Sequence, residues 1–337
     1  MGRKRVRLRD IAEKTGFSAN TVSLALRDSP RIPEPTRKLI RKKAEELNYF
    51  PNRIAQSLVT AQSMTVGLVL TDIRNPILTN VAVEISNLLS DQGYSTLFAS
   101  SNNDLQNEVD AINTFRARQA DGILIYPTDH RKTEHLRDMR EAGYPVVSLV
   151  SDPLKAIDSV SIDEIAGVQK IIGHVVECGY RDIAILDAAT PLGNSEKRQG
   201  YHMALADAGI AVDPSLDVLV DGHGIVEGYN AIAQLWANGK RPRAVFATND
   251  MLALGVLRWC IEQKMAVPAD LAIVGFDDIE FARLASIPIS SVSYPIKRVA
   301  STAVANLIRL IELDGPLPAA SQTLFDPDVV FRTSTLG

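Results

Sequence analysis

The sequence has few of the features that mark secreted or membrane proteins. Its two cysteines, Cys178 and Cys260, lie far apart and form no C-x-x-C pair. This excludes a disulfide framework and fits a reducing cytoplasm. No apolar run approaches the length of a signal sequence or a membrane span. We therefore expect a cytoplasmic protein with no membrane partner.

The sequence also lacks the motifs of common enzymes. It contains no G-x-G-x-x-G after a strand, no G-x-x-x-x-G-K-[ST] loop, no G-x-S-x-G and no H-E-x-x-H. Gly222-His223-Gly224 precedes a predicted helix but lacks the third glycine at the required offset. The five histidines form no cluster, and His130 and His135 are five apart, which does not suit a metal pair on a helix. We predict no enzyme activity, no metal and no cofactor.

What the sequence does contain is an uneven distribution of charge. The length of 337 residues fits two or three domains. Residues 1–62 hold fourteen Lys and Arg against six Asp and Glu, a net charge of +8. The whole chain has a net charge of −4, so the other 275 residues carry −12. A basic head on an acidic body predicts a polyanionic partner for the head. The alternative is an ordinary solvated surface.

The stretch LRDIAEKTGFSANTVSLAL, residues 8–26, predicts two short helices joined by a tight turn. Apolar residues recur three and four apart on both sides of Gly16, which can adopt the positive φ of a turn. Ser18 is a good N-cap for the second helix. In a basic setting this pattern favours a helix-turn-helix that enters a DNA major groove, over an ordinary pair of antiparallel helices.

A third helix is expected from Glu34 to Leu47. Its predicted buried side chains are Leu39, Ile40, Ala44 and Leu47, and its opposite face is basic. Pro51 ends this helix. Residues 52–58 have the length of one or two helical turns, which are not stable alone in water and need a partner.

From Thr65 onwards, apolar runs of strand length alternate with amphipathic runs of helical length. Ten strands are expected, with helices near 77–92, 104–119, 132–142, 164–178, 196–208, 225–238, 250–264 and 296–313. Continuous apolar strands linked by helices predict parallel sheets covered on both faces. The series restarts near Asp163. The fold class is therefore α/β, with an all-α head and a body of two doubly wound parallel sheets.

Ligands of such folds bind at the carboxyl ends of the strands. Polar residues stand at these predicted ends, namely Asp72, Ser100, Tyr126, Asp163, Asn249 and Asp277. They indicate a site for a small polar molecule. The alternative is that polar residues commonly begin loops after strands.

Several separate stretches resemble the LacI/GalR family of bacterial transcription repressors, over nearly the whole chain. They are LRDIAEKTGFSANTVSLAL, TRKLIRKKAEELNYFPNRIAQSL, MTVGLVLTDIRNP and RPRAVFATNDMLALGVLRWCIEQKMAVPADLAIVGFDD. The resemblance implies a helix-turn-helix domain (1–50), a hinge helix and linker (51–62) and a two-lobed body like a periplasmic binding protein (63–337). It places the first lobe at about 63–162 and 293–323 and the second at about 163–292 and 324–337.

The resemblance also implies which residues contact DNA. Ala19, Asn20 and Leu24 match base-reading positions, and Asn20 can pair with adenine through two hydrogen bonds. Leu24 replaces the arginine most common in the family, so the operator should differ at that base pair. Ser18, Thr21 and Ser23 are expected at phosphates. In the hinge, Asn52 and Ala55 are expected to face the minor groove, and Leu58 to wedge into it, unless Leu58 packs on its own domain. Arg7 stands where many relatives have a capping threonine, which predicts a weaker start to the first helix.

For the effector, the resemblance implies a cleft between the lobes. Asp163, Arg198, Asn249 and Asp277 match positions that hold sugar hydroxyls, and Asp72, Ile77, Ser100, Tyr126 and Ser151 complete the expected site. An alternative for Arg198 is an ion pair with Asp163 or Asp277 that only closes the lobes. Ser151 replaces an aromatic residue that stacks on the ligand in some relatives.

The expected protein is thus a cytoplasmic bacterial repressor, nucleoid-associated when bound to DNA. It would act as a homodimer on a near-palindromic double-stranded operator and be controlled by a carbohydrate-like effector. The rival is a solute-binding protein without a DNA role, which would need a signal peptide and no basic head.

Overall fold

The computed structural model of the chain describes residues 6–50, 62–188 and 195–336. The chain divides into two compact units, Met1–Ser63 and Met64–Gly337. Each unit has its own hydrophobic core.

The first unit contains the three predicted helices, Leu8–Thr15 (α1), Ala19–Leu26 (α2) and Glu34–Glu46 (α3). Gly16 ends α1 with φ 75°, a conformation that favours glycine, so α2 can begin after two further residues. The Ser18 side chain accepts a hydrogen bond from the Thr21 N–H at 3.0 Å and caps α2 as predicted.

The start of α1 has a substitute for the missing capping hydroxyl. The Asp10 carboxylate accepts a hydrogen bond from the backbone N–H of Arg7 at 2.7 Å. This is the reciprocal half of a capping box, and it also places a negative charge in the first helical turn, where the helix dipole favours it. The weak start expected from Arg7 is therefore offset three residues later.

The core of this unit is small. Its buried side chains are Ile11, Ala12, Val22, Ala25, Ile40 and Ala44. Two of the four residues predicted to be buried on α3 belong to this set, and Leu47 packs against its edge. Leu39 does not, because its position on α3 leaves it 52% exposed.

The second unit contains twelve described strands. They are Thr65–Leu70 (β1), Ser95–Ser100 (β2), Gly122–Ile125 (β3), Val146–Ser148 (β4), Asp158–Ile162 (β5), Ile183–Ala188 (β6), Asp217–Val220 (β7), Ala244–Ala247 (β8), Ala272–Asp277 (β9), Ser290–Ser293 (β10), Gln322–Phe325 (β11) and Asp328–Val330 (β12).

Helices connect most of these strands, at the predicted positions. They are Pro76–Asp91 (α4), Leu105–Ala117 (α5), Glu134–Glu141 (α6), Glu164–Glu177 (α7), Ser195–Asp207 (α8), Ile225–Ala237 (α9), Asp250–Glu262 (α10), Glu280–Arg283 (α11) and Ile296–Ile311 (α12). The short helix α11 was not predicted from the sequence.

The strands form two six-stranded sheets, in the orders β11-β5-β4-β3-β1-β2 and β12-β10-β9-β8-β6-β7. Both orders run outward in two directions from a central strand, so the predicted α/β class with two doubly wound sheets is confirmed. All pairs are parallel except β10 with β12, which are antiparallel. The last two strands were missed because they are short and lie half-exposed at sheet edges.

The central strands are buried on both faces. Every residue of β3, β8 and β9 is buried, and the helices cover both sides of each sheet. The chain passes between the sheets three times, at 162–164, at 293–296 and at 325–328. Within the described ranges, no helix is long and apolar enough to cross a membrane.

Candidate DNA-reading helix and effector cavity

The second helix of the first unit, α2, presents a polar and uncharged surface. Ser18, Ala19 and Asn20 are exposed, whereas Thr21, Ser23 and Leu24 are half-buried. Val22 and Ala25 point into the core and fix which side of the helix faces out. The Asn20 amide is therefore free of the core, with its donor and acceptor on the open side of the helix.

All three hydroxyls expected at phosphates have partners within the unit. The Ser18 and Thr21 hydroxyls lie 2.9 Å apart, and Arg27 donates a hydrogen bond to the Ser23 hydroxyl at 3.2 Å. Arg27 thus lies next to the expected phosphate-contacting surface and adds a positive charge there. Sequence reasoning did not single it out. The predicted hinge residues Asn52, Ala55 and Leu58 lie outside the described residues.

The second unit contains a cavity of about 460 Å³ at the carboxyl ends of strands from both sheets. Its walls come from the ends of β1, β2, β3, β7, β8, β9 and β10 and the segments that follow them, together with the first half of α4 and the first turns of α7, α8, α9 and α10. The lining residues are Thr71, Asp72, Arg74, Asn75, Ile77, Leu78, Val81, Asn103, Tyr126, His130, Glu164, Lys197, Asp221, Gly222, His223, Gly224, Glu227, Thr248, Asn249, Met251, Asp277 and Tyr294.

Five of the predicted effector residues line this cavity. They are Asp72, Ile77, Tyr126, Asn249 and Asp277. Asn249 also caps α10, where its side chain accepts the Leu252 N–H at 2.8 Å, so its carbonyl oxygen is already engaged and its NH₂ group is left to donate. Asp72 is held by Arg74. Partial burial disfavours ionised Asp72, but the hydrogen bonds from Arg74 outweigh this effect and lower the pKa of the carboxyl.

The other four predicted residues are not among the lining residues. Ser100 donates a hydrogen bond to the Thr71 carbonyl at 3.2 Å, and Asp163 caps α7 by accepting the Ala166 N–H at 2.9 Å. Both side chains are therefore used to fix the local backbone. Ser151 is half-buried in the loop after β4.

Arg198 is the clearest correction. Its guanidinium binds Asp187 at 2.9 Å and also Asp217, so it is not among the lining residues as predicted, and the alternative ion pair with Asp163 or Asp277 is not formed either. The neighbouring residue, Lys197, lines the cavity instead. The buried positions of α8 are Lys197, Gly200, Tyr201, Ala204 and Leu205, which recur at helical spacing. That periodicity was visible in the sequence and would have selected Lys197.

Lys197 is a buried cation that is stabilised by partners inside the protein. Only 6% of the residue is exposed. Its ammonium group donates a hydrogen bond to the Thr248 carbonyl at 3.0 Å, lies 3.7 Å from a Glu164 oxygen and lies 3.9 Å from the centre of the Phe276 ring. A carbonyl, a carboxylate and an aromatic face together stabilise an ammonium away from water.

Asp277 is a buried carboxylate in an unusual backbone conformation. The residue is 8% exposed and has φ 105°, and the next residue, Asp278, has φ 54°. Burial raises the pKa of Asp277 to about 7, a shift that Lys197 opposes and Glu164 increases. Within the described part of the chain, no group donates a hydrogen bond to this carboxylate.

A second buried carboxylate fixes the backbone after Asp277. Asp250 accepts hydrogen bonds from the Ile279 N–H at 2.8 Å and from the Ser291 hydroxyl at 2.7 Å. Ser291 in turn accepts the Asp278 N–H at 3.1 Å. Burial raises the pKa of Asp250 well above its ordinary value, and the nearby Asp277 adds to the shift. Gly275 makes room for Asp250, because a Cβ there would lie 2.1 Å from its Oδ1.

Aromatic and imidazole rings complete the walls. Tyr126 and His130 meet edge to face at 5.7 Å between ring centres. Burial raises the pKa of Tyr126 and of Tyr294, and lowers the pKa of His130 and of His223. All four rings are therefore favoured in their uncharged forms at neutral pH.

Two known domain families match the sequence. Residues 7–52 match the family described as bacterial regulatory proteins, lacI family, and residues 172–335 match the periplasmic binding protein-like domain. The HTH-type transcriptional regulator RegA of Clostridium saccharobutylicum is 29% identical over 338 residues, which covers 98% of this chain and 99% of the relative.

Solved structures of similar proteins cover nearly the whole chain. The lac repressor dimer bound to operator and the anti-inducer ONPF is 25% identical with a TM-score of 0.88, and the match covers 99% of this chain and 100% of that one. The complex of the transcriptional regulator CelR with cellobiose is 26% identical with a TM-score of 0.72, over 98% of this chain and 100% of that one.

Proposed function

Because the chain belongs to the lacI family of bacterial regulatory proteins, we propose that a sugar or sugar derivative binds in its cavity and controls its binding to DNA. The chain is a DNA-binding transcriptional repressor with a ligand-binding body. We assign operator binding to residues 1–50 with the hinge 51–62, and effector binding and dimerisation to 63–337.

The observation that carries the sugar proposal is the chemistry of the cavity. Asp277 and Glu164 offer hydrogen-bond acceptors, and the Asn249 NH₂ group offers donors. A polyol needs acceptors and donors close together, because each hydroxyl both donates and accepts. Tyr126 and Tyr294 offer apolar ring faces for its C–H groups. A volume of about 460 Å³ suits a small sugar, and pockets for small ligands commonly have about 300–1,000 Å³.

For the mechanism, we propose a homodimer whose two first units bind the halves of a near-palindrome. The effector binds between the two sheets and favours one relative arrangement of the lobes. Its influence on DNA affinity equals its difference in affinity between the two arrangements, commonly about 1–3 kcal/mol. The lac repressor dimer, which was solved with both operator and a small ligand, supports this combination.

The rival function, a solute-binding protein without a DNA role, accounts only for the body. The match to the lacI family over residues 7–52 and the net charge of +8 on residues 1–62 both argue against it. Relatives that match over the full length are transcriptional regulators, which also argues against an enzyme.

The test is a selection of random duplexes by the purified full-length protein, with and without a panel of sugars. We expect a near-palindrome with adenine in each half-site. Asn20→Ala should relax the preference at that adenine by about 1–3 kcal/mol per half-site, because the paired hydrogen bonds to the base are lost.

Glu13→Ala is the matched control, since Glu13 is exposed on α1 and should leave the preference unchanged. A panel member that alters recovery identifies the effector. Failure to enrich any sequence, with binding that only weakens smoothly as salt increases, would mean nonspecific DNA binding and would overturn the repressor proposal.

A further inference from the structure

The charges around the cavity point to a selection rule for its ligand. We propose that the cavity accepts uncharged or amine-bearing sugars and rejects anionic ones, such as sugar acids and sugar phosphates. This inference rests on the proposed function, since it concerns the same cavity and specifies the class of effector.

The lining contains more carboxylates than cations. Acidic side chains enter from both lobes, namely Asp72, Glu164, Asp221, Glu227 and Asp277. The lining cations among the described residues are Arg74 and Lys197. Like charges in a partly desolvated site repel strongly because little water screens them. An anionic ligand would therefore meet an excess of negative charge.

Both lining cations are already engaged. Arg74 binds Asp72 through three contacts, from Nε to both carboxylate oxygens at 3.0 and 3.1 Å and from Nη2 to Oδ2 at 2.8 Å. Lys197 is held by the Thr248 carbonyl, Glu164 and the Phe276 ring. An anion would have to share these cations with partly buried carboxylates that they already neutralise, so it would gain less from them than from unpaired cations.

The remaining groups do not restore a positive charge. Burial lowers the pKa of His130 and of His223, which favours their neutral forms. Residues 189–194, which follow β6 in the sequence, contain no ionisable side chain. That segment therefore contains no positive charge that could offset the carboxylates of the lining.

Asp277 indicates what the cavity does accept. The residue is nine-tenths buried and lines the cavity, and its carboxylate receives no hydrogen bond from the described residues. A buried acceptor without a donor is unfavourable. A ligand that brings hydroxyl or ammonium donors to this position satisfies it, whereas a ligand carboxylate or phosphate repels it.

The test uses matched ligands that share one ring and differ in charge. The full-length protein is titrated calorimetrically with D-glucose, D-glucosamine and D-glucuronate, and with the corresponding galactose set, at pH 7.5 and 0.15 M salt. We expect the neutral sugar or the amino sugar of at least one set to bind, and its uronate to bind at least tenfold more weakly.

A variant then tests the cause. Glu227→Gln combined with Asp221→Asn removes two negative charges from the lining. It should reduce the gap in affinity, defined as the ratio of neutral-sugar affinity to uronate affinity, at least threefold. Asp91→Asn is the matched control, because Asp91 is exposed at the end of α4 and should leave the gap unchanged.

The outcomes separate the two proposals. A uronate that binds as tightly as its neutral parent, or more tightly, overturns the charge rule while leaving sugar control intact. A gap that the double variant does not narrow overturns the assignment to lining charge. If no ligand of either set binds and no sugar of the wider panel alters DNA recovery, the sugar proposal fails and the charge rule fails with it.

Discussion

Replacing Asp277 with asparagine should make the protein more stable at pH 8, although the residue belongs to the candidate site. The carboxylate is buried and without a hydrogen-bond donor in the described structure, so its ionisation costs free energy. Asparagine keeps the shape and removes the charge. Asparagine also tolerates positive φ better than most residues, so the φ of 105° should be retained.

The size of the effect follows from the pKa. Burial raises the pKa of Asp277 from 3.8 to about 7. The folded state therefore binds a proton more tightly than the unfolded state, and the wild type loses stability as the pH rises from about 4 to about 7. At about 1.4 kcal/mol per pH unit, the full shift corresponds to roughly 4 kcal/mol. We take that as an upper bound, because solvent in the cavity screens the charge.

The assay is thermal unfolding of the wild type and Asp277→Asn between pH 4 and pH 8, without ligand. The two proteins should melt together near pH 4, and the variant should melt several degrees higher at pH 8. Glu196 has its pKa raised to about 7 by burial and by Glu164 and Asp163, but it titrates in both proteins and cancels in the difference. A difference that is independent of pH, or a variant less stable than the wild type at pH 8, would refute the reasoning.

Two further predictions concern the same region. Asp250→Ala should destabilise the body by about 2–5 kcal/mol in urea unfolding, since the Ile279 N–H and the Ser291 hydroxyl lose their buried acceptor. Gly275→Ala should also destabilise the body, because its Cβ would lie 2.1 Å from the Asp250 Oδ1. In the double variant this clash is absent, so the two destabilisations should not add. Additive costs would contradict the proposed contact. Effector affinity, measured by calorimetry once a ligand is found, should rise about tenfold from pH 6 to pH 8. The reason is that ligand donors are proposed to bind ionised Asp277, whose pKa is about 7. An affinity that does not change with pH, or a pH dependence that persists in Asp277→Asn, would contradict this role.

The fold could be predicted from the sequence because its signals are local and repeated. Apolar strands and amphipathic helices alternate with little ambiguity, and the described helices of the body, apart from the short α11, begin within a few residues of their predicted positions. The strands β11 and β12 were not predicted, because three or four half-exposed residues at a sheet edge carry no periodicity. Their pairing is decided by neighbouring strands that are distant in sequence.

The candidate site could be predicted for residues at the carboxyl ends of central strands, because the strand fixes where such a residue lies. Asp72 and Asn249 follow central strands and Asp277 ends one, so they lie at the edge where the cavity opens. Ser100 also ends a strand and Asp163 follows one, but their side chains bind nearby backbone groups. Strand position alone does not determine which way a side chain turns.

Arg198 shows a different limit of sequence reasoning. A guanidinium suits sugar hydroxyls, and that chemical preference favoured Arg198 over its neighbour. The helical period favoured Lys197, which shares the buried side of α8 with Gly200 and Tyr201. Geometry decides between them, because a one-residue step on a helix turns the side chain by about 100°. Arg198 then meets Asp187 and Asp217 outside the cavity.

Two unfavourable features of the body coincide where the effector is proposed to bind. Asp277 and Asp278 both have positive φ, and Asp277 is a buried carboxylate that receives no donor from the described residues. Such features persist only when the surroundings enforce them, and here Asp250 and Ser291 hold the backbone that follows. A ligand that donates to Asp277 removes part of this cost, and it does so only in the arrangement of lobes that brings its hydroxyls to the carboxylate. The Asp277 carboxylate can therefore make the effector bind one arrangement of the lobes more tightly than the other. Control of DNA binding requires such a difference in affinity.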